Sequence, residues 1–142
     1  RPLAGSEGIM PRGWSPVVEN WGAAQLQGRF RDAAHRDMLV QDFGAWAAVA
    51  AIGEAVTRAG TADPGALRDY ILSDQFRLAG FLGTPLSFRG WDGQMRQPIP
   101  LVTERAVVNV APLEGFLHQR SELDTLGTDL PSTTCTKFGV AR

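Results

Sequence analysis

The chain has 142 residues, 44% of them apolar and 20% charged, which is the size and make-up of one ordinary domain or of part of a larger one. That composition excludes a collagen, a coiled coil and a mostly disordered chain. Fourteen basic against fifteen acidic residues leave a net charge of -1 and a pI near 6.1. No positive field gathers phosphate backbones or anionic lipid, and no nucleic acid is expected as a partner.

No apolar run approaches the roughly 20 residues of a membrane-spanning helix; the longest, Ala45 to Ile52, is closed by Gly53 and Glu54. Arg1-Pro2-Leu3-Ala4-Gly5 lacks the charged head and apolar middle of a secretion signal. The expectation is a removed leader or a piece of a longer protein.

The segment 1–10 reads as a short strand, and Pro11-Arg12-Gly13-Trp14-Ser15-Pro16 as a turn-rich connection. Val17, Val18, Trp21, Ala24, Leu26, Phe30 and Ala34 then recur at three- and four-residue steps, which predicts a helix from about Pro16 to His35. A second helix is predicted over Val40 to Ala59, with Asp42 as N-cap and Gly60 as a left-handed stop. Its five alanines between Ala45 and Ala51 place it buried between layers. Asp63-Pro64 starts a third helix that runs to Asp74.

After Gln75 the period shortens. Short strands are predicted over Phe76 to Leu82, Pro85 to Phe88, Ile99 to Thr103 and Ala106 to Ala111, with tight turns at 88–94 and at Glu104-Arg105. Residues 1–111 thus read as an α/β unit of three main helices on a mixed sheet. Residues 112–142 read as an extended C-terminal tail that wraps or pairs elsewhere.

Chemistry is sparse along this order. A metal centre needs converging ligands, and the chain offers His35, His118 and a lone Cys135, so no metal is expected. There is no Gly-x-x-x-x-Gly-Lys phosphate loop and no Gly-x-Ser-x-Gly elbow, so no cofactor and no enzymatic activity are expected. Trp14, Trp21, Trp46 and Trp91 are read chiefly as packing residues.

The succession of motifs resembles the second half of the type I periplasmic solute-binding proteins of branched-chain amino acid and amide ABC importers. The residues that carry it are Glu7-Gly8-Ile9-Met10, Gln25-Leu26-Gln27-Gly28-Arg29-Phe30-Arg31, Trp46-Ala47-Ala48-Val49, Ala66-Leu67-Arg68-Asp69-Tyr70-Ile71-Leu72 and Gly80-Phe81-Leu82-Gly83-Thr84-Pro85-Leu86-Ser87-Phe88. Trp91-Asp92-Gly93-Gln94-Met95-Arg96-Gln97-Pro98-Ile99 and the stretch from Ala111 to Gly127 look like the branch found with pyrroloquinoline-quinone-dependent alcohol oxidation.

This resemblance implies a partial lobe of a two-lobed, periplasmic, non-enzymatic receptor that closes on a small organic solute and presents it to an ABC permease in the inner membrane. It implies solute contacts at Arg12 and Trp14, in the connection after the first strand, and at Gln41 and Asp42, where the second helix begins. It also implies an exposed apolar face that drives self-association of the chain, and a partner for Cys135 in a cysteine outside it. The competing reading is a binding-protein-like module that docks on a periplasmic quinoprotein dehydrogenase without transport.

Overall fold

The computed structural model describes residues 8–138. Helices and small sheets are mixed along the chain. In order come β1 (Met10–Pro11), α1 (Ala23–Ala34), α2 (Val40–Ala59), α3 (Pro64–Ile71), β2 (Ser87–Phe88), β3 (Met95–Arg96), β4 (Ile99–Val102) and β5 (Val107–Ala111), then 3-10 turns at Glu122–Thr125 and Leu130–Ser132. The strand expected at the start is reduced to Met10 and Pro11, and residues 1–7 of that expectation, Glu7 included, lie outside the described residues.

The first helix begins seven residues later than its periodicity predicts. Trp21 and Gly22 adopt left-handed backbone, with φ of 54° and 84°, which a right-handed helix cannot contain. A side chain at Gly22 would sit 2.9 Å from the Phe81 ring, so glycine is required there on two counts. The helix ends at His35, also left-handed, whose N–H bonds Arg31 O at 2.8 Å.

The second helix has the predicted bounds, but its N-cap is Leu39. Asp42 sits one turn in and accepts the Leu39 N–H at 2.8 Å, while Gly60 (φ 65°) closes the other end on Val56 O. The expectation that this helix is buried between layers is corrected. Only the stripe Phe43, Ala47, Ala51 and Ala55 is fully buried, whereas Val49 is 72% and Ile52 55% exposed. Alanines at four-residue spacing bring the backbone close to the body, and the larger side chains face out. Asp63 caps α3 as expected, accepting Ala66 N–H at 2.8 Å, and α3 packs on α2. It stops at Ile71, short of Asp74, because the Ser73 hydroxyl takes the Tyr70 carbonyl at 2.7 Å.

The sheets are small, and every strand pair among the described residues is antiparallel, where a mixed sheet was expected. One sheet has the order β1-β4-β5 and the other pairs β2 with β3. The predicted strand 76–82 contributes only a bridge between Leu78 and Leu86. Phe81 (φ 56°) breaks it, and Leu86 fills the space over Gly80. β3 was not foreseen. A core of Trp14, Met38, Phe43, Phe76, Leu82 and Leu86 joins helices to sheets. Rings run through it from Trp14, stacked on Phe43 at 4.7 Å, to Trp46 and Phe81.

Candidate solute cleft

Where the chain leaves β1, the Arg12 N–H donates to Pro100 O at 2.9 Å, extending the pairing with β4 by one residue. Gln97 Nε2 donates to the carbonyl of Gly13 and fixes the next step of the backbone. These bonds hold the segment 8–17 along one side of a cleft of about 1090 Å³. Leu39 and Val40, at the start of α2, form a second wall, and Val102 to Arg105, at the β4–β5 turn, form a third.

Its charged lining carries both signs: Arg12 and Arg105 against Glu19, Asp37 and Glu104. Among the described residues the exposed Arg12 guanidinium donates to the Met10 sulfur, at 3.9 Å, a single weak contact that leaves most of its donors available. Asp37 is already engaged by Arg31 at 2.7 Å and Gln27 at 2.9 Å. The Arg31 hydrogen bond, chief among these contacts, holds the Asp37 carboxyl below its ordinary pKa.

The four sequence-derived solute contacts divide. Arg12 and Trp14 both line this cleft, but Trp14 is only 2% exposed, its face covered by Phe43 and its indole N–H given to Gln27 Oε1 at 3.4 Å. Gln41 and Asp42 are not among the lining residues, which at this end of α2 are the N-cap Leu39 and Val40. Asp42 is held by Arg36 through two bonds of 2.6 and 2.8 Å. That pairing, with the Leu39 N–H, pulls its carboxyl down to about 2. These contacts cap α2 and tie down the α1–α2 loop.

A second polar centre escaped the sequence. Arg89, 1% exposed, donates from Nε to Asp124 Oδ1 at 2.9 Å and from Nη2 to Leu126 O at 2.6 Å. Arg96 reaches the same carboxylate at 2.7 and 3.1 Å, and the Trp91 ring lies beside both guanidiniums. Burial pushes the Asp124 carboxyl up, but the bonds from Arg96 and Arg89 together bring it below its ordinary value. The one local hint was a pair of arginines, Arg89 within the 88–94 turn and Arg96 just after it, with Asp92 as the single acid between them.

Among the described residues no group of three or more His, Cys, Asp or Glu is placed to hold a metal ion, and no helix is long and apolar enough to cross a membrane. No family model, curated protein or solved structure matches the chain.

Proposed function

We propose that this chain is part of a periplasmic solute-binding protein of type I, supplying one side of a cleft that captures a small organic solute for an ABC permease. The observation that carries the reading is the convergence of a strand exit, a helix start and a hairpin turn on the open cleft at Arg12. A receptor of this kind works by trapping. Solute touches both lobes only in the closed state, so it stabilises closure by its differential affinity and needs no bond chemistry. A wall carrying the exposed Arg12 guanidinium together with the carboxylates of Glu19 and Glu104 suits a solute with charges of both signs, such as an amino-acid-like molecule. Trp14, Gln27 and Asp42 then act as supports that fix the wall's shape.

The test is a thermal-shift screen of the full-length protein against amino acids, amides, alcohols and quinone cofactors. Stabilisation by at least one solute, lost in Arg12→Ala, is expected. No shift with any solute, together with co-purification with a quinoprotein dehydrogenase, would replace import by docking.

A further inference from the structure

The C-terminal segment is attached to the rest of the protein in an unusual way. Between residues 113 and 138 the only buried side chains are Leu123, Asp124 and Thr133, while Phe116 is 72% exposed. Apolar burial therefore gives this segment little hold. Its attachment is polar and concentrated: Asp124 on Arg89 and Arg96, the Leu126 carbonyl on Arg89, and the Thr128 carbonyl on the Trp91 indole N–H at 3.2 Å. The Phe138 ring also lies over Gly93.

Gly127 is needed for this attachment. Its backbone is left-handed, with φ of 117°, and a Cβ there would lie 2.6 Å from Arg89 Nη1. Within the segment, His118 Nε2 meets Asp129 Oδ2 at 3.2 Å and its Nδ1 accepts the Arg120 N–H, so residues 118–129 are pinned into one loop. Beneath this loop lies a polar cleft of about 590 Å³. One wall comes from the segment, through His118, Arg120 and Asp129; the other comes from the body, through Asp74, Arg77 and Ser87.

We propose that residues 113–138 form a lid over this second cleft, latched by Asp124 between Arg89 and Arg96, which opens as a unit without unfolding the helical core. A segment held chiefly by one ion cluster, with few buried apolar side chains, belongs to the low-stability end of a structure, where local opening is separate from global unfolding. Opening exposes the 590 Å³ cleft and Ser87, which is 8% exposed when the lid is shut. The lid is independent of the Arg12 cleft and of the function proposed for it.

Two measurements test this. Native-state hydrogen exchange should show the amides of 121–133 opening at lower free energy than those of α2. Asp124→Asn should speed their exchange about tenfold or more with α2 unchanged. Gly127→Ala, which pushes on Arg89 without removing a charge, should act in the same direction. In a Cys135→Ser background, the thiol introduced by Ser87→Cys should be alkylated slowly, and about tenfold faster once Asp124→Asn is added. The proposal is overturned if 121–133 and α2 exchange at a common free energy, or if the alkylation rate ignores the latch substitutions while far-UV circular dichroism stays native.

Discussion

The indole N–H of Trp14 points at Oε1 of Gln27, 3.4 Å away, inside the core. The same oxygen accepts the Met38 N–H at 3.3 Å, and the Gln27 amide donates to Asp37 at 2.9 Å. One buried glutamine, 4% exposed, thus joins the cleft wall, the first helix and the loop into the second. Gln27→Leu keeps the volume but leaves an indole N–H and a backbone N–H without acceptors. It should lower stability by about 2–4 kcal/mol, since each orphaned buried donor costs about 1–3 kcal/mol. Urea denaturation with an unchanged m-value would establish this; a loss below about 0.5 kcal/mol would mean that water takes over both donors.

A depressed carboxylate pKa predicts where acid acts on the second helix. Asp42 falls from the ordinary carboxylate range to about 2 in the folded chain, through Arg36 first and the Leu39 N–H second. Its contribution is therefore complete above the unfolded value of about 3.9 and is lost as pH falls toward 2. In Asp42→Asn the cap acceptor survives and the charge does not. The stability difference between wild type and variant should shrink steadily from pH 4 to pH 2, as read by urea midpoints across that range. A constant difference would show that Arg36 does not hold the carboxylate in solution.

What could be read from the sequence follows from how local each determinant is. Gly60 and the Asp63-Pro64 pair mark helix ends through their own backbone chemistry, and the structure has them there. Arg12 and Trp14 fell on one connection and do reach one cleft. Trp21 carried a helical pattern yet sits left-handed, next to Gly22, over which Phe81 from far along the chain is packed. Arg89 and Asp124 are 35 residues apart, with no periodicity linking them. In α2 valine, isoleucine and alanine are all apolar, so hydrophobicity alone could not tell which stripe would face the body.

The outward stripe of that helix predicts association. Val49, Ile52 and Val56 are 72%, 55% and 37% exposed, and Ala45 and Ala48 beside them add no charge. Light scattering after size exclusion should show mass rising with concentration, and Ile52→Lys should return the chain to a monomer at a stability change within about 0.5 kcal/mol. On the inward stripe the result reverses. Ala51 is 2% exposed within the core, and Ala51→Leu should cost about 1–3 kcal/mol by overpacking. A wild-type chain that is monomeric at high concentration would rule out this face as the source of association.

β5 is the outer strand of β1-β4-β5 among the described residues, and its sequence, Val107-Val108-Asn109-Val110-Ala111, holds no charge and no proline. Such an edge invites pairing with another chain. Val110 lies opposite Pro100, which has no N–H and whose carbonyl is taken by Arg12 on the far side, so the Val110 N–H faces outward from the ladder. Asn109 Oδ1 accepts that N–H at 2.8 Å and removes it from the edge. Asn109→Val frees the donor and raises β-propensity at the same position. The variant should fold with near-native stability yet aggregate faster than wild type on mild heating, with turbidity as the readout. Asn109→Asp, which keeps the acceptor and adds a charge, should aggregate more slowly than either. Equal rates in all three chains would show that the edge is covered in solution by something other than this side chain.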